Sequence, residues 1–198
     1  WTPRRKDDRL VIFSERIETL KFLEAQLTQD LGLKPGQVEL LHGGLSDTDQ
    51  QHLVEEFGKT RSKLRLLLAS DVASEGLNLH YLCHRLVHFD VPWSLMVFQQ
   101  RNGRIDRYGQ EQTPEIVYLL TDSANPAIRG DVRILELLIR RDDQARANIG
   151  DPSALMGVYD IDGQERITAE AIEQGLGVDA FDARLGQGET IDPLELLL

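Results

Sequence analysis

Cysteine is almost absent from this 198-residue chain, and long apolar runs are missing altogether. The single cysteine, Cys83, excludes an intrachain disulfide and a cysteine-rich zinc site, and it is typical of a reducing cytoplasm. No apolar run approaches the ~20 residues of a membrane span, so we expect no membrane contact. No basic segment leads into an apolar one near Trp1, so we expect no signal peptide and interpret the chain as a piece of a longer protein.

A surplus of positive charge is also missing, because the net charge is -11. The distribution is uneven. Residues 1–121 carry 15 basic and 17 acidic residues, whereas residues 122–198 carry 7 and 16. The first two thirds are therefore nearly neutral and can still present a local basic edge to phosphates, while the acidity lies in the last third.

Short apolar runs alternate with segments of helical spacing over the first two thirds of the chain. Gly32 is expected to end the first helix, and Ser46 with Asp49 resembles a capping pair that opens the second. This alternation predicts an α/β domain with a parallel sheet between helices. The predicted strands are Leu10–Ser14, Val38–Leu41, Leu64–Ala69, Arg85–Phe89 and Ile116–Leu120, and the helices among them are Glu15–Leu31, Ser46–Phe57 and Ser94–Arg107.

The pattern changes beyond Thr121. Residues 128–149 form one long helical candidate, and after a break at residues 150–153 only residues 167–174 have helical spacing. We therefore divide the chain into a domain at 1–121 and an acidic, helical and irregular extension at 122–198.

The strongest chemical signal lies in residues 100–110, where Arg104 and Arg107 stand three positions apart. On a helix they point the same way, and two guanidinium groups on one edge favour an anion between them, such as a polyphosphate. Gly103 would let the backbone approach closely. Taken alone, the pair is more typical of a solvated charged face, with Arg104 or Arg107 paired to Asp106 or Glu111.

A phosphate-binding loop is not found. The segment 58–60 (Gly-Lys-Thr) resembles the end of one, but the position that requires the first glycine is Leu53, and the segment leaves a helix instead of entering one. No acidic Walker B pair follows a strand either. We expect the lobe that cradles ATP to lie outside this chain.

Two further patterns are discounted as metal sites. His80, His84 and His88 are four residues apart, but a predicted strand separates them, so we expect no metal there. Residues 160–163 resemble a calcium loop without the required glutamate, and we interpret them as a turn into a helix capped by Thr168.

The order Gln-x-x-Gly-Arg-x-x-Arg resembles motif VI of superfamily 2 helicases and translocases, and the trailing Tyr-Gly-Gln resembles the Swi/Snf-type ATPases, in particular their bacterial branch of RNA-polymerase-associated ATPases. Four more segments resemble motifs of this family in the right order. They are Val11–Ser14, His42–Ser46, Ala69–Leu79 and His88–Trp93. The likeness spans about residues 9–121 and implies a RecA-like C-terminal lobe in a bacterial cytoplasmic protein.

The resemblance implies roles for individual residues. Arg104 and Arg107 would be catalytic and reach the γ-phosphate of ATP, which a missing N-terminal RecA-like lobe would hold together with Mg²⁺. We expect neither ATP nor Mg²⁺ to be bound to this chain alone. The implied nucleotide-side positions are Gln100, Gly103, Gly76 and Asn78. The implied nucleic-acid contacts, to the backbone of what we expect to be double-stranded DNA, are Ser14, Ser70 and Asp71.

One departure and two alternatives remain open. Asp49-Gln50-Gln51 stands where family members often carry an arginine, so a nucleic-acid contact assigned there is in doubt. The chain could instead act as a protein-interaction module through its acidic extension, or as an RNA helicase lobe.

Overall fold

The computed structural model describes residues 1–71, 77–121, 130–148, 161–174, 176 and 180, with side chains in the long helix described for 132–143. Gly76 lies outside the described residues. By its contacts the chain divides into two compact units, Trp1–Val91 with Gln100–Leu119, and Pro92–Gln99 with Leu120–Leu198. The predicted division at residue 121 stays a prediction.

A five-stranded parallel sheet in the order β2-β3-β1-β4-β5 forms the first unit, as the alternating pattern predicts. The strands are β1 Arg9–Phe13, β2 Val38–Leu41, β3 Leu66–Ala69, β4 Cys83–His88 and β5 Glu115–Tyr118. Two of the three central strands, β1 and β3, are buried almost throughout, which explains why their sequences are continuous apolar runs. The predicted strand ends differ by up to two residues from the observed ones.

Each face of the sheet has its own apolar core. One face packs Val11, Phe13 and Leu86 with Phe57 and Ile105, and the other packs Ile12 and Leu68 with residues that include Leu20 and Leu23. The helix α1 (Ile17–Leu31) therefore covers one face, and α2 (Asp47–Phe57) covers the other together with the turn around Ile105. The expected sheet between helices is confirmed.

The ends of α1 and α2 follow their capping residues. Gly32 adopts a left-handed conformation (φ 60°, ψ 41°) that most side chains disfavour, and its N–H closes α1 onto the carbonyl of Gln29. The hydroxyl of Ser46 accepts from the backbone N–H of Asp49 at 3.2 Å and so opens α2. Both predicted caps are confirmed.

The third helix is shorter than predicted, because α3 spans Leu95–Asn102 and does not reach Arg107. The carbonyl of Asn102 accepts from the backbone N–H groups of Ile105 at 3.2 Å and Asp106 at 2.9 Å, which replaces the helix by turns. The prediction that Arg104 and Arg107 share one face of a helix is therefore wrong. Both follow the helix in a compact turn.

The second unit contains two further helices, α4 (Gly130–Asn148) and α5 (Ile161–Glu173). Leu137 and Ala171 pack together there, and the buried amide of Gln164 accepts from the hydroxyl of Ser94 at 2.8 Å. The prediction that Thr168 caps the start of this helix is wrong, because α5 begins at Ile161 and Thr168 lies inside it. The Thr168 hydroxyl bonds to the carbonyl of Gln164 one turn earlier. In the described part of the chain, the helices are all too short or too polar to cross a bilayer.

Candidate functional site

Polar residues gather where the three central strands end. Because β1, β3 and β4 are parallel and in register, Phe13 lies beside Ala69 and His88, and the residues that follow each strand meet at one edge. Ser14 follows β1, Ser70 and Asp71 follow β3, and Asp90 comes two positions after His88, the last residue of β4. Carboxyl ends of parallel strands are where α/β proteins place their ligand sites.

The side chain of Arg101, on the last turn of α3, connects these strand ends. It is 1% exposed, yet all five of its N–H donors have partners. Two donate to the carboxylate of Asp71 at 2.6 and 2.8 Å, two to Asp90 (side chain at 3.0 Å, carbonyl at 2.9 Å), and one to Nδ1 of His88 at 3.3 Å. The guanidinium also lies 5.7 Å from the centre of the Phe13 ring.

The electrostatic balance at Arg101 keeps it charged. Burial by itself lowers the pKa of the guanidinium, but the hydrogen bonds and negative charges of Asp71 and Asp90 outweigh burial and place the pKa above its usual value. A buried charge of this kind is tolerated only when its donors are satisfied.

Asp90 extends the network to β1. Its second carboxylate oxygen accepts from the hydroxyl of Ser14 at 2.5 Å and from the backbone N–H of Glu15 at 3.0 Å. Ser14 is fully buried. The start of α1, the end of β4 and the end of α3 are therefore fixed to one another through a single carboxylate.

His88 is the neutral member of the network. Its Nδ1 accepts from Arg101, so the proton lies on Nε2, which donates to the side-chain oxygen of Asn102 at 2.9 Å. Asn102 in turn donates to the hydroxyl of Tyr118 at 3.3 Å, and the rings of Tyr118 and His88 stack at 4.6 Å. Burial lowers the pKa of His88 to about 4, and the charge of Arg101 acts in the same direction.

Arg104 and Arg107 lie in the turn after α3, and the same short segment holds both. Arg104 is 9% exposed and donates to the carbonyl of Leu77 at 3.1 Å, while its own carbonyl accepts from the N–H of Leu79 at 3.2 Å. Arg107 is exposed, and its guanidinium donates to the side-chain oxygen of Asn78. The pair and Asn78, separated by 26 to 29 positions along the chain, are thus brought together.

This turn is fixed at its far end as well. Gln110 donates to the carbonyls of Cys83 and Ile105, each at 3.0 Å. Gly109 has a φ of 95°, and a side chain there would meet His80 at 3.4 Å, so the position favours glycine for both backbone and space.

The profile of the family described as "Helicase conserved C-terminal domain" matches residues 3–109, which include the Arg101 cluster at the strand ends and the turn with Arg104 and Arg107. The chain belongs to the helicase C-terminal domain family.

Relatives and solved structures agree with this assignment. The chain is 35% identical over 115 residues to the SNF2 domain-containing protein CLASSY 4 of Arabidopsis thaliana, and 31% identical over 118 residues to the uncharacterized ATP-dependent helicase YqhH of Bacillus subtilis. It is 28% identical over 112 residues to the RNA polymerase-associated protein RapA of Vibrio campbellii. These matches cover 57 to 60% of this chain but only 10%, 20% and 11% of the relatives, so the chain spans a small part of each.

The C-terminal part of the Fun30 ATPase domain superposes with a TM-score of 0.57 at 21% identity, over 86% of this chain and 50% of that one. Domain 2 of the DEAD-box helicase Mss116p, solved with an RNA duplex, gives 0.52 at 20% identity, over 72% and 49%. These likenesses confirm the fold, a RecA-like helicase C-terminal lobe. With the relatives, they confirm the Swi/Snf-type resemblance.

The predicted nucleic-acid residues of this lobe lie at the strand ends, but the side chains of Ser14 and Asp71 are bonded within the network. Ser14 and Ser70 are buried, and Asp71 gives both carboxylate oxygens to Arg101. The backbone N–H groups of Ser14, Glu15 and Ser70 are also used within the protein, by Ala69, Asp90 and Leu41. The three contacts stay predictions.

The predicted nucleotide-side residues fall into two groups. Asn78 lies with the arginine pair, whereas Gln100 is half-buried on the last turn of α3 and Gly103 is the first residue after that helix. Their roles stay predictions. The lobe offers little to Mg²⁺, because the two carboxylates at the strand ends, Asp71 and Asp90, are already bound by Arg101.

Sequence reasoning missed Arg101 and Asp90, and it predicted Asp71 as a nucleic-acid contact without its bond to Arg101. The signal was the apolar stripe of α3: Val97 and Phe98 are buried, and Arg101 follows them by four and three positions, which places it on the same face. A charged residue on such a stripe requires buried partners, and Asp71 and Asp90 are two of the three carboxylates that come two positions after a buried strand, the third being Glu15.

Replacing Arg101 by leucine should lower the free energy of unfolding by about 2–4 kcal/mol, because Asp71 and Asp90 lose the charge between them while keeping some contact with water. Arg101→Lys should recover part of this, since a lysine keeps the charge but cannot serve five acceptors. Urea denaturation measures both. Arg16→Ala is the control, because Arg16 is 75% exposed and, in the part of the chain that the structure describes, its ion pair is with Glu15. A loss no larger than the control's would contradict the role of the network.

Acid should destabilise the lobe through His88. The folded state holds this ring neutral with a pKa of about 4, whereas in the unfolded chain it takes up a proton near pH 6.5. The stabilisation is thus complete above pH 6.5 and is lost as the pH falls towards 4, by about 3 kcal/mol at most. His88→Gln should flatten the unfolding free energy over this range in urea titrations at several pH values. An unchanged slope in the variant would show that other groups cause the acid sensitivity.

Proposed function

We propose that this chain is the second motor lobe of an ATP-dependent translocase or remodeller of double-stranded DNA, in which Arg104 and Arg107 contact the phosphates of ATP bound by another lobe. The observation that carries the proposal is how Arg107 is held. Its partner is the neutral amide of Asn78, and among residues 1–71 and 77–121 no carboxylate lies within salt-bridge distance of it.

A guanidinium held by an amide is oriented without being neutralised. Its charge stays available to an anion from outside, and its planar fork matches phosphate oxygens. Arg104 differs, because it is nearly buried against the carbonyl of Leu77 and fixes the backbone beside Arg107. We assign Arg107 the direct contact with the transferred phosphoryl group, and Arg104 both the support of that contact and a share of the charge.

ATP, with its Mg²⁺, is the phosphate donor that the relatives' names support, since one is called an ATP-dependent helicase and another an SNF2 domain-containing protein. The arginines stabilise the charge that develops on the γ-phosphate as the bond to the leaving group breaks. The phosphate cradle and the metal ligands come from the other lobe.

We prefer duplex DNA over RNA as the substrate because of the Swi/Snf-type likeness. Contacts to the sugar-phosphate backbone of the nucleic acid carry no sequence information, which suits a motor that moves along any sequence. Acidic-tail binding to a protein stays a second candidate. One relative is named for its association with RNA polymerase, and the excess negative charge lies in residues 122–198.

In the full-length protein, Arg107→Ala should reduce DNA-stimulated ATP turnover by about 10³-fold or more, the usual effect of removing a phosphate-contacting arginine, and Arg104→Ala should also reduce it strongly. Phosphate release with duplex DNA, duplex RNA or no nucleic acid measures this. Arg61→Ala is the control, because Arg61 is exposed in the loop before β3, at the other end of the strands. Near-normal turnover in both arginine variants would exclude the assignment. Stimulation by RNA alone would move the substrate to RNA.

A further inference from the structure

An open groove of about 690 Å³ lies on the face of the first unit that carries α2 and the turn with Arg104 and Arg107, which we call the arginine turn. One wall is α2, with Asp47, Gln51 and Glu55. The other is the segment that runs from Leu77 to Tyr81. Nothing in the proposed function uses this groove, although one of its lining residues, Asn78, is the partner of Arg107.

The groove is suited to a neutral, flat group. Its charged lining residues are two acids, Asp47 and Glu55, and one base, Lys59, whose ammonium is already paired with Glu55 and Glu56. A polyphosphate would find no net positive charge inside it. Leu77 and Tyr81 instead supply apolar and aromatic surface.

Tyr81 offers an exposed aromatic ring on which a flat group can stack. Its side chain is 68% exposed, although the ring contacts a neighbouring side chain. It stacks on the ring of His80 at 4.4 Å, and its other neighbour is Gly58, where an added side chain would lie 3.6 Å from the Tyr81 ring. A fixed, exposed aromatic ring binds a nucleobase with little loss of side-chain freedom.

The arginine pair lies next to this groove by two links. Asn78 accepts the hydrogen bond of Arg107, and His80 is near enough for the charge of Arg107, after burial, to lower its pKa. The positive charge of Arg107 therefore lies at the edge of the groove. The groove itself carries no net positive charge and includes the aromatic ring of Tyr81. A nucleotide has the same polarity, with an anionic phosphate end and a flat, uncharged base.

We propose that this groove holds the nucleoside half of the nucleotide whose phosphates contact Arg107, with the base stacked on Tyr81. The inference rests on the proposed function and extends it, because it gives this lobe a share in binding the base as well as the phosphates. The aromatic ring at position 81 is then a nucleotide-affinity residue with no part in the bond-breaking step.

The test uses the full-length protein and two inhibitors of its ATPase activity, ADP and inorganic pyrophosphate. Both contain a diphosphate, but only ADP carries a ribose and a base. Tyr81→Ala should weaken inhibition by ADP about ten-fold and raise the KM for ATP similarly, with kcat little changed, since one base-stacking contact is lost. Inhibition by pyrophosphate should be unchanged. Tyr81→Phe keeps the ring and should behave as the parent protein.

Two further variants guard the test. Gln51→Trp, an exposed position on the α2 wall, should obstruct the groove and weaken ADP inhibition while leaving pyrophosphate unaffected. Phe22→Ala removes a similarly exposed ring (62%) from α1 on the opposite face of the sheet and should change neither inhibitor.

Unchanged ADP inhibition in Tyr81→Ala, or equal weakening of ADP and pyrophosphate, would overturn the inference. The second result would mean that Tyr81 only supports the fold around Arg107. If Arg107→Ala still abolishes turnover, such a failure leaves the proposed function standing. Normal turnover in the Arg104 and Arg107 variants would remove the proposed function itself.

Discussion

The arrangement of the strand ends depends on one buried group, the guanidinium of Arg101, which bonds to Asp71, Asp90 and His88. Burying an arginine is costly unless every donor is used, and here every donor is used. The acceptors follow two different strands, and Asp90 passes the connection to Ser14 beyond a third. The ends of three strands are therefore connected by hydrogen bonds through Arg101 and Asp90.

The arginine turn follows directly from this anchor. The carbonyl of Arg101 accepts from the N–H of Arg104 at 3.1 Å, and Asn102 ends α3 while bonding to His88. The strand ends with the predicted nucleic-acid residues and the turn with the residues proposed to contact ATP thus adjoin the same buried cluster. In a motor of the proposed kind, this is a short physical route between the nucleic-acid side and the nucleotide side.

Much of the fold could be predicted from the sequence because its signals are local. Buried strands read as apolar runs, and Gly32 and Ser46 mark helix ends by their own chemistry. The sequence pattern extends α3 to Arg107, whereas the helix ends at Asn102, whose side chain bonds to His88 and Tyr118. Burial of Arg101 depends on carboxylates 11 and 30 positions away, which no local pattern brings together. Thr168 resembled a cap but lies within a helix.

The central claim is that this lobe supplies charge to a nucleotide that another lobe cradles. ATP hydrolysis by the purified 198-residue chain, measured with duplex DNA and compared with the full-length protein, tests it most directly. The account predicts no phosphate release above background from the chain alone and DNA-dependent release from the full-length protein. Turnover by the chain alone at a rate comparable with the full-length protein would contradict it.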